Sequence, residues 1–416
     1  MIVLGGSIME KKTMLEYAKL AVRIGINLQK GQDVIIYCST HNHEFAAMLM
    51  EECYQNGARK VSVEWSNNVC ERIHLQHVSS EALEDIPEWT IEKTKYLCET
   101  LPCKIYVDDD DPNKFAGLDM DKFNKYRVKR YNLVKKYLDE ADCKDQWTIV
   151  ALPSPKWATA VFPELSEEDA MAKLEEAILH TMRLDTENPT QAWENHIAYL
   201  KEKADKMNSY HFDHLHYTSS NGTDFTVGLH EKHVWLSARE TSLQNIDFSA
   251  NMPTEEVFTM PAKYTAHGTV VSTKPLSYNG HTIEDFTVTF EKGKVVKVTA
   301  KKNQEVLEEM LNMDENSRYL GEVALVPFNS PINELGFLFI NTLFDENACC
   351  HLAFGEAFKN NLEGYENLSE EDLKELDVNK SVNHVDFMIG SNDLSIIGVT
   401  KDHQEIEVFK NGTWAI

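Results

Sequence analysis

Hydrophobic positions in the first half of the chain alternate between a helical period and the continuous runs of buried strands. Residues 13–29 carry apolar positions three to four apart, which predicts a helix that ends near Gly31. The apolar run at 33–38 (DVIIYC) predicts a buried parallel strand. An amphipathic segment at 44–58 and a second apolar run at 60–65 complete one βαβ unit.

The same alternation continues almost to residue 208. The further predicted elements are a strand at 104–110, a helix at 121–140, a strand at 147–153 and a helix at 166–183. Parallel strands joined by crossover helices are typical of a sheet with helices on both faces. The sequence therefore predicts an N-terminal domain, residues 1–208, with a three-layer α/β fold.

After a polar helix predicted at 191–207, the pattern changes to short segments that alternate between apolar and polar residues. A period of two is typical of antiparallel sheet, and the segment 286–300 reads FTVTF-EKGK-VVKVTA, a hairpin pattern. Helices are predicted at 303–312 and 369–376. The C-terminal domain, residues 209–416, is expected to be a mixed, mostly antiparallel, β-rich α+β domain, and the chain belongs to the α/β class.

The net charge limits the partners of the chain. Its 416 residues carry a formal charge of −26, so the phosphates of nucleic acid or of an anionic membrane surface would be repelled. No stretch approaches the roughly 18 apolar residues of a membrane-spanning helix. We expect neither nucleic acid nor a membrane as a partner.

Cysteine usage and the first residues bear on the cellular compartment. Eight cysteines are scattered along the chain without a CxxC pair, which is typical of reduced thiols in the cytosol. The opening MIVLGGSIME has no basic segment and only a short apolar run, so no signal peptide is expected. The sequence predicts a cytoplasmic protein.

Acids and histidines occur inside apolar surroundings in the second half of the chain. An acid in such a setting is unfavourable unless a partner or a metal ion neutralises it. The stretches are PTEEVF (253–258), LGEVALVPF (320–328), DENACCHLAFGEAF (345–358) and NHVDFMIG (383–390). One such acid is often a cap or a buried ion pair, whereas four such stretches in one domain favour a metal site.

NHVDFMIG has the clearest local geometry. Residues i and i+2 of a strand point to the same face, so His384 and Asp386 would project together. An imidazole and a carboxylate are ordinary ligands of zinc, cobalt or manganese, and a hydrogen-bonded pair that supports the sheet is the alternative. Glu322 lies in an apolar strand and is either a ligand or an edge-strand acid that faces water.

The other candidates have weaker local signals. Glu255 and Glu256 follow a Pro-Thr pair, where acids also occur in the first turn of a helix. Glu346 and His351 are five residues apart and share a face if their stretch is helical. Both residues are therefore candidate ligands. For His351 the alternative is a core histidine whose hydrogen bonds are satisfied.

Two other polar groups are interpreted as structural. Cys349 and Cys350 are adjacent, and adjacent cysteines rarely both bind one ion, so we interpret them as small buried residues. The acidic run at 108–112 is interpreted as a solvated strand end, because consecutive acids rarely converge on one ion. The remaining glutamates, histidines and aspartate exceed the needs of one four-coordinate ion and suit two ions, about 3.5–4 Å apart, that share a bridging carboxylate.

Several long motifs in order carry a family resemblance. NMPTEEVFTMP, LGEVALVP, NTLFDENACCHLAFG and NHVDFMIGS resemble the M29 metalloaminopeptidases, the family of the thermophilic aminopeptidases T and S. The earlier segments LQKGQDVIIY, NGARKVSVEW and SPKWATAVFP resemble the same family, so the similarity spans nearly the whole chain.

The resemblance implies release of N-terminal amino acids from peptides with a free N-terminus, by hydroxide held on a cocatalytic metal pair. Zinc, cobalt or magnesium would serve as the two divalent ions, and the protein would be a homodimer with its metals in the C-terminal domain. The ligands carried over by motif are Glu256, Glu322, Glu346, His351, His384 and Asp386. Glu322 is the expected bridging carboxylate, and Glu255 is one candidate for the general base.

One departure from the family pattern concerns catalysis. The family carries a tyrosine seven residues after the histidine of the DEN…H motif, and this chain has Phe358 there. A phenol can donate a hydrogen bond to an oxyanion, whereas phenylalanine cannot, and Tyr365 would substitute if its loop folds back. The alternative is therefore a weak or inactive M29-like protein that binds metal and peptides. No GxGxxG or GxxxxGK[ST] motif supports nucleotide binding.

Overall fold

The computed structural model describes residues 10–109 and 111–416, so most of the opening segment interpreted above lies outside the described residues. The chain forms two compact units. The first runs through Trp193 and also includes Arg239–Met252, and the second comprises Glu194–Ala238 and Pro253–Ile416. The domain boundary after residue 208 stays a prediction.

Helices and strands occupy most of both units. The helices are α1 (Lys11–Leu20), α2 (His43–Gln55), α3 (Asn68–His77), α4 (Ser80–Glu84), α5 (Glu88–Thr100), α6 (Met120–Ala141), α7 (Pro155–Val161), α8 (Glu167–Thr181), α9 (Pro189–Tyr210), α10 (Gln304–Leu311), α11 (Pro331–Glu334), α12 (Thr342–Asp345) and α13 (Glu370–Glu375). The strands are β1 (Asp33–Ser39), β2 (Lys60–Ser66), β3 (Cys103–Asp108), β4 (Trp147–Ala151), β5 (Phe212–Thr218), β6 (Asp224–Gly228), β7 (Glu240–Thr241), β8 (Asp247–Phe248), β9 (Val257–Thr259), β10 (His267–Val271), β11 (Leu276–Tyr278), β12 (His281–Ile283), β13 (Thr287–Glu291), β14 (Lys294–Thr299), β15 (Leu320–Leu325), β16 (His351–Gly355), β17 (His384–Met388), β18 (Ser395–Thr400), β19 (Glu405–Lys410) and β20 (Thr413–Trp414).

The first unit contains a parallel four-stranded sheet in the order β2-β1-β3-β4. Successive residues Val34, Ile35 and Ile36 of β1 are all buried, so both faces of this strand are covered. Strands alternate with helices along the chain, as the apolar periods predicted. The predicted α/β class is therefore confirmed.

The second unit is dominated by antiparallel sheets. One has eight strands in the order β14-β13-β10-β6-β5-β18-β19-β20, and another has four in the order β17-β16-β15-β9. The predicted hairpin is formed by β13 and β14, with Lys292 and Gly293 at φ values of 50° and 80°. Both positive values suit the primed turns that match strand twist, and a Cβ on Gly293 would lie 1.9 Å from the Lys263 carbonyl oxygen. The β-rich second half is thus as expected.

Two helical alternatives that the sequence left open do not apply, and the interpretation of the acidic run as a solvated strand end was wrong for Asp109. The stretch 345–358 is not one helix: α12 ends at Asp345, a 3₁₀ turn covers Glu346–Ala348, and His351 begins β16. Glu255 and Glu256 precede β9 rather than a helix. Asp109, interpreted as part of a solvated strand end, is only 4% exposed because other side chains enclose and hydrogen-bond its carboxylate.

Within the described ranges, no helix has the length and apolar character needed to cross a bilayer.

Candidate metal centre

The register of the four-stranded sheet brings distant acids together. Ala353 on β16 pairs with Glu322 of β15 on one side and with Asp386 of β17 on the other. Side chains two residues apart on a strand share a face, so His351 lies on the face of Ala353, and His384 on that of Asp386. The small Ala353 side chain leaves space between the two carboxylates.

Glu256, Glu322 and His351 form the first group of possible ligands. Nε2 of His351 lies 3.3 Å from Oε2 of Glu256 and 3.3 Å from Oε1 of Glu322. The three residues are buried, and one ligand atom from each lies within 4.8 Å of the others. Such a spacing suits a single cation among the three side chains.

Glu322, His384 and Asp386 form the second group. Nε2 of His384 lies 3.4 Å from Oε2 of Glu322 and 3.2 Å from Oδ1 of Asp386. Nδ1 of the same imidazole lies 2.8 Å from the Glu356 carbonyl oxygen, to which it must donate. This hydrogen bond leaves the Nε2 lone pair for a cation, the arrangement usual for metal-binding histidines.

Glu346 lies beside these groups but belongs to neither of them. Its carboxyl hydrogen-bonds with Asp386, and its Oε1 lies 3.3 Å from Nδ2 of Asn347. Asn347 is fully buried, and its Oδ1 accepts the backbone N–H of Glu255 at 2.7 Å. One amide side chain therefore connects the segment before β9 with Glu346.

The adjacent residues Glu255 and Glu256 face different partners. Oε2 of Glu255 lies 3.5 Å from Nε2 of His196, whereas Glu256 faces His351. Nε2 of His196 also donates to the Thr254 carbonyl at 2.8 Å. Both His196 and Glu255 are almost completely buried.

His196, which lies beside Glu255, was not identified from the sequence. It lies on α9, three residues after Trp193 and four before Leu200, both of which are buried. That spacing places His196 on the buried face of the helix. The helical period was therefore a signal that could have identified it.

Phe358 lies against the second group. Its ring centroid is 4.6 Å from that of His384, with the planes inclined at 34°, and 40% of the residue is exposed. The Tyr365 side chain packs against a buried hydrophobic cluster. The members of that cluster are Met260, Ala357, Leu362 and Leu373. That Tyr365 supplies the phenol hydroxyl that Phe358 lacks stays a prediction.

The pKa values of the two histidines depend on burial and on the carboxylates beside them. Burial opposes the charge of His351, but the carboxylates of Glu256 and Glu322 raise its pKa well above the usual value. Burial likewise opposes the charge of His384, and its pKa is raised well above normal by Asp386 and Glu322. Both imidazoles are therefore held near negative charge.

The pKa of each carboxyl group is set by burial and by the charged groups that it faces. Burial raises the pKa of Glu256, which faces one imidazole, whereas two imidazoles outweigh burial and lower the pKa of Glu322. The pKa of Asp386 is lowered against burial by His384. Burial and the nearby acids Asp386 and Glu256 raise the pKa of Glu346 well above normal. Acids outnumber imidazoles, so the cluster favours a cation.

An unsatisfied polar atom supports the fit to a metal ion. Nε2 of His351 is buried and makes no hydrogen bond of acceptable geometry to any described residue, although two carboxylates lie near it. An unpaired buried polar atom is unfavourable, and a cation between these groups would satisfy it. Carboxylate oxygen and imidazole nitrogen suit zinc, cobalt, manganese or magnesium.

A buried group of carboxylates and imidazoles on an antiparallel sheet is typical of metal-dependent enzymes. The chain belongs to the thermophilic metalloprotease (M29) family, whose model matches residues 10–414. The recognition made from the motifs is confirmed. The protein is therefore a peptide hydrolase whose family implies a divalent metal.

Relatives of known name cover nearly the full chain. Aminopeptidase AmpS of Bacillus subtilis (strain 168) is 43% identical over 402 residues, 96% of this chain and 97% of its own. Aminopeptidase PepS of Streptococcus thermophilus is 40% identical over 409 residues, 98% of each chain. The solved structure of wild-type AmpT from Thermus thermophilus has a TM-score of 0.89 and 36% identity, and it covers 98% of this chain and 100% of its own.

Proposed function

We propose that this protein is an aminopeptidase that releases N-terminal amino acids from peptides at a dinuclear metal centre. The observation that carries the proposal is the position of Glu322. Its Oε1 faces His351 at 3.3 Å, and its Oε2 faces His384 at 3.4 Å. A carboxylate with each oxygen directed to a different histidine suits a bridge between two ions.

The proposed ligands follow from the two groups. Glu256 and His351 would hold one ion, His384 and Asp386 the other, and Glu322 both. Glu346 would complete the set next to its hydrogen-bond partner Asp386. Two bound divalent ions, zinc, cobalt or magnesium, would make water nucleophilic near neutral pH and polarise the peptide carbonyl.

Glu255 is the proposed general base. Its carboxylate is buried beside His196, and its backbone is held by Asn347, so its position is well defined. In that role it would accept a proton from the attacking water and deliver it to the leaving amine. The peptide bond to the first residue would then be replaced by a carboxylate and a free amine.

The surplus of acids supports a substrate with a positive end. The cluster contains four carboxyls and two imidazoles, and the chain as a whole has a charge of −26. A free α-ammonium group is attracted to such a site, and a blocked N-terminus is not. We propose peptides with a free N-terminus as substrates, acted on by a cytoplasmic homodimer.

A second candidate is a metal- and peptide-binding protein of low activity. Phe358 supports it, because the ring beside His384 offers no hydrogen-bond donor to an oxyanion. In this alternative the cluster would still bind cations and the peptide ammonium. Only turnover would be lost.

Hydrolysis of aminoacyl p-nitroanilides tests the proposal. Each substrate is assayed with added cobalt, zinc or magnesium and with a chelator, beside its N-acetylated form as a control. Metal-dependent release from the free substrates alone is expected. Cation binding without turnover under any metal would support the binding protein instead, and turnover of the acetylated substrates would exclude an aminopeptidase.

A further inference from the structure

The turn before α12 has a backbone conformation that its central side chain disfavours. Ile340 has a φ of 56°, in the left-handed region, although its side chain is branched at Cβ. A β-branched residue is rarely found there, and it persists only where its surroundings hold it. Such strain is common beside functional sites, so the group that holds this turn is a candidate for a functional role.

The buried carboxylate of Asp345 holds the turn. Its Oδ1 accepts the N–H of Phe339 at 2.8 Å, and its Oδ2 accepts the N–H of Asn341 at 3.0 Å. The N–H of Ile340 also donates to this carboxylate. One side chain therefore accepts hydrogen bonds from three consecutive N–H groups, those of the strained residue and of its two neighbours.

Further contacts connect the turn to α12. Phe339 and Phe344 are fully buried, and their rings stack with centroids 4.4 Å apart. The backbone N–H of Asp345 donates in turn to the Asn341 carbonyl oxygen at 2.9 Å. The turn and Asp345 are thus joined by hydrogen bonds in both directions, which fixes the course of the chain as it leaves α12.

Glu346 is the next residue along the chain, and its carboxyl hydrogen-bonds with Asp386. Asn347 donates from Nδ2 to the Leu343 carbonyl oxygen at 3.0 Å and to Oε1 of Glu346 at 3.3 Å. The 3₁₀ turn that contains both residues is only three residues long. A displacement of Asp345 would therefore pass directly to the Glu346 side chain.

This role needs the acceptor oxygens of Asp345 rather than its charge. Burial raises the pKa of Asp345 to about 7, although the N–H donors and the charge of Lys274 oppose the rise. The oxygens accept hydrogen bonds whether or not the carboxyl group carries a proton. Charges near a metal site also alter its affinity for cations, so charge and position need separate tests.

We propose that Asp345 is a positioning residue of the metal centre. It holds the strained turn 339–341 and thereby directs Glu346 toward Asp386 and the metal position beside them. This inference rests on the proposed function, because it assigns Glu346 to that metal position. Asp345 itself contacts no ion and acts through its neighbour.

Metal titration of D345N tests the role. Asparagine keeps one acceptor oxygen but turns an amide NH₂ toward N–H donors, so the turn is expected to shift. Calorimetric titration with Co²⁺ should give two equivalents in the metal-free unaltered chain. In D345N one equivalent should bind at least about tenfold more weakly while the other is retained. Equal weakening of both equivalents, or of neither, would overturn the proposal.

D345E is a second variant with a different change. It keeps the charge and both oxygens but lengthens the side chain by one methylene, so it displaces the turn without removing a charge. It should weaken the same equivalent, and it keeps the proposal testable if D345N does not fold. Normal metal binding in D345E would show that position is not what matters.

A double-mutant cycle determines whether Asp345 acts through Glu346. E346Q should weaken the same equivalent as D345N. The variant D345N/E346Q should then bind no more weakly than the more affected of the two single variants, because both changes act on one ligand. Additive losses would mean that Asp345 acts independently of Glu346 and would overturn the proposal.

Two control variants separate position from other effects. K274M removes the nearby cation and leaves the acceptors of Asp345 intact, so both equivalents should bind as before; binding at least about tenfold tighter would attribute the D345N result to charge. Asp393 also accepts a backbone N–H, from Ser220 at 2.9 Å, and its other hydrogen bonds are to serine hydroxyls. D393N is therefore the matched control, and a selective loss there would refute a specific role of Asp345. Circular dichroism verifies that each variant is folded.

Failure of this inference is distinguishable from failure of the proposed function. No Co²⁺ binding by the unaltered chain, or no turnover of aminoacyl p-nitroanilides, would contradict the proposed aminopeptidase and this inference with it. Two bound equivalents and turnover in the unaltered chain, with the same affinities in D345N, would refute the role of Asp345 alone.

Discussion

The ring of Phe358 lies 4.6 Å from the imidazole of His384, inclined at 34°. The imidazole is thereby flanked by an aromatic surface at the position where the resemblance to the family implies a phenol. A tyrosine at this position could direct its hydroxyl toward a group bound beside His384. The contact makes position 358 a test of how catalysis depends on one hydrogen-bond donor.

Phe358→Tyr is expected to raise kcat, by up to about 10²–10³-fold if the added phenol hydrogen-bonds to an oxyanion. KM should change little, because the donor would act mainly in the transition state. Steady-state kinetics on one aminoacyl p-nitroanilide measure both constants. Phe358→Leu is the control without a donor, and an equal gain in that variant would attribute the effect to packing.

Glu322→Gln is expected to remove the bridge between the proposed ions. A neutral amide is a poor ligand, so the bound metal should fall from two equivalents to one or none, and turnover should fall at least about 10³-fold. Elemental analysis after gel filtration gives the stoichiometry. Glu375→Gln, on the exposed side of α13, is the matched control. Two retained equivalents in E322Q would contradict a bridging role.

Glu255 and Glu346 are distinguished by metal content. Glu255→Gln should lower kcat by about 10²–10⁴-fold while both metal equivalents remain, as expected for a general base. Glu346→Gln should lower metal affinity, as expected for a ligand. Metal titrations and steady-state kinetics on the same variants separate these effects. Full activity of E255Q would eliminate Glu255 as the base.

His196 should act through the position of Glu255. Its Nε2 donates to the Thr254 carbonyl, so His196→Ala is expected to lower kcat about tenfold with little change in metal content. His196→Gln keeps an N–H donor and should restore part of the rate. Equal losses in both variants would indicate that packing, rather than the hydrogen bond, is what matters.

Asp314 links stability to pH near the centre. Its carboxylate accepts hydrogen bonds from the backbone N–H groups of Val382 and Asn316 at 2.7 and 2.8 Å and from Ser381 Oγ. Although burial opposes it, these donors lower the pKa of Asp314. The Asp314 carboxylate thereby holds in place the segment that leads into β17, the strand that carries His384 and Asp386.

A lowered pKa in the folded state stabilises the protein above the ordinary carboxyl pKa of about 3.9, and this contribution disappears as the pH falls through the folded-state value. Asp314→Asn should therefore reduce the free energy of unfolding at pH 7 by on the order of 1 kcal/mol, since the group is partly exposed. The difference from the unaltered protein should shrink as the pH falls below the ordinary carboxyl value and through the lower folded-state pKa. Thermal unfolding at pH 7, 5 and 3 measures it, and a difference independent of pH would contradict the assignment.

Local patterns predicted most elements and the residues of the centre. The period of two in NHVDFMIG and the apolar run around Glu322 identified β17 and β15, and the i, i+2 rule placed His384 and Asp386 together. Helices α3 and α5 were missed because few of their residues are buried, and α5 has none. Without a buried face, a helix leaves no hydrophobic period to detect.

The sequence by itself determined the period of each element and the donor types available to a metal. Only the tertiary structure decided that Ala353 pairs with both Glu322 and Asp386, that Glu256 rather than Glu255 faces His351, and that Asp109 is buried. The reason is physical: a side chain's face follows from local backbone geometry, whereas its neighbours follow from strand register and packing between residues far apart in the chain.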